Sequence, residues 1–209
     1  MTAVKICGLN DAAGFDAAVE AGADYLGLNF FPASPRYLTP GAAAGLSARH
    51  AGGPPRVGLF VNPADADIEA ALAAIKLDIL QLYVPPARAA GLRARFGLPV
   101  WRAVGVATAA DFPRSAEGAD VLLIEPKPPA GATRPGGNAV SFDHTLIAGW
   151  NPPCPWVLAG GLTLENVTQA IRATRARIVD LSSGVERSRG VKDPAKIRAF
   201  VAACKATGL

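Results

Sequence analysis

The sequence of 209 residues predicts an α/β fold, a single-domain (β/α)8 barrel over residues 1–209. Three observations carry it. Apolar runs of strand length alternate with helix-length segments through the whole chain, eight runs in all. No linker or tandem repeat beyond that rhythm interrupts them. The turn after the first run, Cys7-Gly8-Leu9-Asn10, lacks the Gly-rich fingerprint that an open doubly wound sheet, the alternative topology, usually carries there.

Each element has its own local reason. Val4 and Ile6 are β-branched and Cys7-Gly8 breaks the run, which makes a short buried strand. Phe15, Ala18 and Val19 sit at helical spacing over residues 11–21, with Gly22 as the stop. Residues 25–30 are the second strand, and the two prolines of residues 31–37 exclude a helix interior there. Thr39 as N-cap and Pro40 at the first helical position open the next helix. Strands follow at 56–61, 79–83, 99–104 and 121–124, with helices at 65–74 and 87–96 and a weak one near 109–117. Proline and glycine then crowd residues 125–140, and a stretch of that length predicts a mobile functional loop. A helix is expected near Phe142-Asp143, strands at 156–159 and 177–181, and helices at 164–173 and from Asp193-Pro194 to about Lys205.

Composition narrows the function. Half of the residues are hydrophobic and 18% are charged, which argues for a folded core and against disorder. A net charge of +4 comes from scattered basic residues, so nucleic acid is not an expected partner, and neither is a membrane, since no apolar run approaches spanning length. Cys7, Cys154 and Cys204 lie far apart, and an odd number suits a reducing, cytoplasmic location better than a disulfide framework. His50 and His144 share no ligand spacing with each other or with cysteine, so no metal is expected. Nothing distinguishes a monomer from a homodimer.

Two constellations carry chemistry. In parallel barrels the turns after strands seven and eight are the common phosphate site, and here they read Gly160-Gly161 and Ser182-Ser183-Gly184. Glycine also marks any tight turn, but two such turns in these positions favour phosphate. The second constellation is Cys7 after strand one and Glu125 after strand six, which a closed barrel sets across its mouth as an acid–base couple. Taken alone, Cys7 is equally a buried core thiol and Glu125 a solvated loop carboxylate. Arg36, between Pro35 and Tyr37, is either a fork for a carboxylate or an ordinary surface arginine.

Over nearly its full length the chain resembles the phosphoribosylanthranilate isomerase family. The resemblance rests on Lys5-Ile6-Cys7-Gly8-Leu9, Gly22-Ala23-Asp24, Ser34-Pro35-Arg36-Tyr37, Val57-Gly58-Leu59-Phe60-Val61-Asn62 and Pro135-Gly136-Gly137. It continues through Leu158-Ala159-Gly160-Gly161-Leu162, Glu165-Asn166-Val167, Asp180-Leu181-Ser182-Ser183-Gly184-Val185-Glu186 and Gly190-Val191-Lys192-Asp193. It implies an Amadori rearrangement of N-(5'-phosphoribosyl)anthranilate to its 1-deoxyribulose isomer in tryptophan biosynthesis, without metal or organic cofactor. By the same resemblance Cys7 is the base and Glu125 the acid. Arg36 faces the anthranilate carboxylate, Gly160, Gly161, Ser183 and Gly184 hold the phosphate, and Asp180 faces the substrate. Three positions depart from the family pattern: Glu125 replaces an aspartate, Tyr83-Val84 replaces His-Gly, and Asn138-Ala139 replaces Thr-Gly. A diverged paralogue acting on or binding another phosphorylated sugar or amine would show such a pattern as well.

Overall fold

The computed structural model describes residues 1–116, 118–129, 131, 143–147 and 149–207. Its centre is a closed barrel of parallel strands in sequence order: β1 (Ala3–Ile6), β2 (Tyr25–Asn29), β3 (Arg56–Val61), β4 (Ile79–Tyr83), β5 (Val100–Val106), β6 (Val121–Pro126), β7 (Trp156–Ala159) and β8 (Ile178–Leu181). β8 returns to pair with β1, placing Lys5 opposite Asp180. Around it lie α1 (Ala12–Glu20), α2 (Pro40–Ala48), α3 (Asp65–Ala74), α4 (Pro86–Phe96), α5 (Val167–Thr174) and α6 (Pro194–Ala206). The (β/α)8 TIM-barrel expectation therefore holds for the strands and for most of the helices.

The differences have local causes. After β5 only a 3₁₀ turn forms, Ala109–Asp111, because Pro113 disfavours helical backbone at Phe112 and cannot donate within a helix. After β6 the described residues hold a 3₁₀ turn, His144–Ile147, followed closely by Gly149 in left-handed backbone. β6 runs two residues beyond its expected end, so Glu125 belongs to the strand and not to a loop. The expected loop over 125–140 falls largely outside the described residues, including Pro135, Gly136, Gly137, Asn138 and Ala139, as does Phe142. A small antiparallel hairpin after β8, β9 (Glu186–Ser188) with β10 (Val191–Lys192), was not anticipated.

Alternation along the strands sorts the side chains into two compartments. Ile6, Leu26, Leu28, Phe60, Leu80, Leu82, Leu122 and Ile124 point outward into the shell beneath the helices. Val57, Ile79, Trp101, Leu123, Val157 and Ala159 point inward and fill the barrel as a separate core. Nearer the C-terminal ends the inner positions turn polar, with Lys5, Gln81, Glu125 and Asp180 all buried. Side chains plug the N-terminal half, and chemistry is confined to the other end.

The N-terminal face is closed by a recurring device. Asp24, Asp78 and Asp120, each just before an even-numbered strand, accept a backbone N–H from the first or second residue of the preceding odd one: Val4 at 2.7 Å, Arg56 at 2.8 Å and Val100 at 2.9 Å. Helix starts are capped in the same manner. Thr39 accepts from the Ala42 N–H, and Asp193 from those of Ala195 and Lys196. Asp193→Ala is expected to destabilise the protein by about 1 kcal/mol. In urea denaturation this appears as a lower midpoint with an unchanged slope.

Candidate active site at the C-terminal mouth

Cys7 follows β1 directly and is buried, its N–H bonded to the Leu181 carbonyl of β8. Space for it comes from the neighbouring strand. A side chain at Gly27 would meet the Cys7 Cα at 2.9 Å and its sulfur at 3.2 Å, and the Lys5 ammonium at 3.1 Å. Lys5, fully buried, donates to Asp180 at 2.6 Å. Burial alone would discharge that lysine, but the Asp180 carboxylate, joined by Cys7, raises its pKa instead. The thiol is pushed up by burial above its ordinary value of 9.0, while Lys5 and Lys192 pull it down. Cys7 is thus a desolvated thiol whose ionised form has fixed positive charge beside it.

Glu125 occupies the inner face of β6, two residues beyond the core residue Leu123. Only 6% of it is exposed. Burial raises its pKa to about 8; the nearby Tyr83 phenol and Lys5 oppose the rise, and Asp180 adds to it. At neutral pH the carboxyl keeps its proton, as a general acid must. Tyr83, the last residue of β4, is desolvated as well and senses Glu125, Cys7 and Asp180, so these groups share one pocket. Gln81 lies beneath it on the same face of β4, with neither amide atom paired among the described residues.

Arg36 is no surface arginine. It is buried and bidentate to Glu186, through Nε at 2.5 Å and Nη2 at 3.0 Å. Glu186 also accepts from the Gly190 N–H at 3.0 Å and from Lys192 at 3.1 Å. Burial would raise the Glu186 pKa, but these cations and the N–H carry it down to about 2. Lys192 is held near 8 by its own burial against the pull of Glu186. It donates to the Ser182 carbonyl, and the Ser182 hydroxyl donates to the Cys7 carbonyl at 3.0 Å. One buried network therefore joins the loops after β1, β2 and β8.

The two small-residue turns stand side by side. Gly160 and Gly161 follow β7 with φ of +85° and +63°, a left-handed pair that only glycine adopts without strain. A side chain at Gly160 would strike the Pro126 ring, and one at Gly184 the Leu162 carbonyl. Asn166 braces the first turn by accepting from the Thr163 N–H and donating to the Gly161 carbonyl. Ser183 and Gly184 lie in the 3₁₀ turn that leaves β8. All the site residues named from the sequence thus lie on strand ends or turns at the C-terminal face. Lys5, Tyr83, Glu186 and Lys192 were given no role there, although a lysine between Val4 and Ile6 is a visible signal of a buried charge in need of a partner.

Fold and mouth together define a (β/α)8-barrel protein whose C-terminal mouth carries a buried thiol, a buried carboxyl and two glycine-rich turns. Residues 4–203 match the family model described as N-(5'phosphoribosyl)anthranilate (PRA) isomerase. The chain is similar to the N-(5'-phosphoribosyl)anthranilate isomerase of Granulibacter bethesdensis, 55% identical over 97% of both chains, and to that of Paracoccus denitrificans, 56% identical over 95% of both. Among solved structures it is similar to a phosphoribosyl anthranilate isomerase in complex with reduced 1-(o-carboxyphenylamino)-1-deoxyribulose 5-phosphate. That likeness has a TM-score of 0.84 and 32% identity, over 99% of this chain and 100% of the other. The chain belongs to the N-(5'-phosphoribosyl)anthranilate isomerase family, and it is an isomerase.

The state of Glu125 can be read from stability. Its folded pKa of about 8 lies above the ordinary 4.5, so the folded protein holds a proton that the unfolded chain releases. The stability this contributes is complete below 4.5 and is lost as pH rises through about 8. Glutamine does not titrate. Relative to the parent, Glu125→Gln is expected to gain about 1.4 kcal/mol per pH unit across that window, measured by urea denaturation.

Proposed function

We propose that this chain isomerises N-(5'-phosphoribosyl)anthranilate with Cys7 as its base and Glu125 as its acid. The observation that carries the assignment is the buried, protonated carboxyl at the end of β6, in one pocket with a lysine-backed thiol. The substrate class is supported by the similar structure that holds the reduced 5-phosphate product analogue.

Glu125 donates its proton to the furanose ring oxygen. The bond from that oxygen to the first sugar carbon breaks, and the anilino nitrogen lone pair forms the Schiff base. The Cys7 thiolate removes the proton from the second carbon, whose electrons pass to the first carbon–second carbon bond and give a neutral enolamine. Tautomerisation of the enolamine to the ketone completes the Amadori rearrangement. Lys5 favours the thiolate, and Asp180 acts through Lys5 by holding its ammonium at the barrel seam. Arg36, with its Nη1 unbonded among the described residues, receives the anthranilate carboxylate while Glu186 fixes its plane. The Gly160-Gly161 and Ser183-Gly184 turns take the phosphate on their backbone N–H groups. With three unbridged cysteines, we place the enzyme in the reducing cytoplasm.

The test follows consumption of freshly generated phosphoribosylanthranilate by its fluorescence. A kcat/KM of about 10⁴ M⁻¹s⁻¹ or above is expected. Cys7→Ala and Glu125→Gln are each expected to lower kcat by about 10²-fold or more with KM little changed. Full activity of Glu125→Gln would remove it from the acid role. The pH profile adds a second check. The reactive form pairs ionised Cys7 with protonated Glu125. With the carboxyl at about 8 and the thiol above 9.0, its share rises with pH to about 8, levels, and falls beyond the thiol. The kcat/KM of the free enzyme is expected to follow that curve.

A further inference from the structure

The Tyr83 phenol is a polar group at the mouth that the reaction scheme above does not use. Tyr83 ends β4 and Glu125 nears the end of β6, with only β5 between them. On β4 the inner face is marked by Ile79 and on β6 by Leu123, both in the barrel core, so alternation turns Tyr83 and Glu125 inward. The register places Gly105 of β5 beside Glu125, and Leu82 beside Arg102 puts Ala103 next to Tyr83. β5 therefore offers only a hydrogen and a methyl at its two upper inner positions. A large side chain at either would stand between the phenol and the carboxyl. With these small residues nothing large on β5 stands between the Tyr83 phenol and the Glu125 carboxyl.

We propose that Tyr83 is a positioning residue for Glu125, its hydroxyl donating to the carboxyl across the small inner face of β5 and holding the acid towards the substrate. This rests on Glu125 being the acid. A glutamate has three side-chain torsions, and a buried one aimed at a particular oxygen needs a second contact to select its rotamer. A phenol suits the task because it remains a donor throughout the working range: burial and the neighbouring carboxylates push its pKa well above 10.0. Once the proton has left Glu125, the same hydroxyl stabilises the carboxylate.

The test is Tyr83→Phe in the full-length enzyme, which keeps the ring and removes the donor. A fall in kcat of about tenfold is expected, with KM within about threefold of the parent. Losing a hydrogen bond that favours the ionised carboxyl also moves the rising limb of the kcat/KM profile to higher pH, by about one unit. A residue needed only for packing would leave that limb in place. In a Glu125→Gln background the same replacement is expected to lower kcat no further. An unmoved limb, or an added loss in that background, overturns the proposal. Tyr83→His, which retains a donor, is the second variant: should Tyr83→Phe fail to fold, kcat and limb close to the parent's support the proposal, and a limb displaced as if the donor were gone overturns it. The ¹³C resonance of the Glu125 carboxyl, assigned by its loss in Glu125→Gln, gives the same titration without turnover. If the parent shows no isomerase activity yet the resonance titrates higher in Tyr83→Phe, the acid assignment fails and the contact stands. If the parent is active and the titration does not move, the contact alone fails.

Discussion

The ion pair between Lys5 and Asp180 is the interaction on which the rest of the structure depends. It sits where the first and last strands meet, so it marks the seam at which the barrel closes. Desolvating two charges is costly, and a buried pair is weak evidence of net stabilisation against apolar residues of similar volume. Its value here lies in what surrounds it. The ammonium is fully buried, two residues before Cys7 on the same side of the strand, and it is the main influence drawing the thiol back from the rise that burial imposes. Gly27 on β2 supplies the room for both groups. Closure of the fold and the electrostatic setting of Cys7 are thus one structural event.

The environment of Glu125, the proposed acid, works in the opposite way. Among the described residues no cation forms an ion pair with Glu125, and burial dominates, which keeps the proton on. A longer acid than the family's aspartate must reach its target through one more rotatable bond. In this chain that substitution occurs together with a phenol on β4 and small residues on the intervening strand. Lys5 reaches both groups, drawing the thiol down while opposing the rise of the carboxyl, whereas Asp180 raises both. The same pair therefore acts on Cys7 and Glu125 together, and a change to either partner would be felt at both groups.

Much of this was legible in the sequence, for identifiable reasons. The strand runs were short, apolar and bounded by glycine or proline, and Thr39-Pro40 and Asp193-Pro194 announced their helix starts. Cys7, Arg36 and the paired turns could be placed because the order of strands alone decides which loops meet at a barrel mouth. What escaped was set by contacts distant in sequence. The burial of Arg36 and its bidentate pairing are hidden because the partner, Glu186, lies 150 residues away. Glu125 reads as a loop carboxylate because the proline beside it hides the last residues of β6. The β9–β10 hairpin is too short to show an alternation. The helix expected near 109–117 does not form among the described residues because Pro113 interrupts it, a break that the βα rhythm alone hides.

The Arg36–Glu186–Lys192 network explains how a site assembled from loops can be rigid. Three groups, Arg36, the Gly190 N–H and Lys192, share the Glu186 carboxylate, and Lys192 carries the chain of contacts through Ser182 to the backbone of Cys7. Loops so tied cannot move independently, and a shift at the carboxylate fork is transmitted to the base. The phosphate turns are fixed separately, by Pro126 packed on Gly160, by the contact of Gly184 with Leu162, and by Asn166. Pro126 directly follows Glu125, so the Gly160-Gly161 turn rests on the residue next to that carboxyl. Under the proposed reaction, the two ends of the substrate are gripped by frameworks that each share a peptide or a hydrogen bond with the proposed acid or base. The same contacts would then orient substrate, acid and base together, the condition under which binding energy at the remote ends is converted into rate.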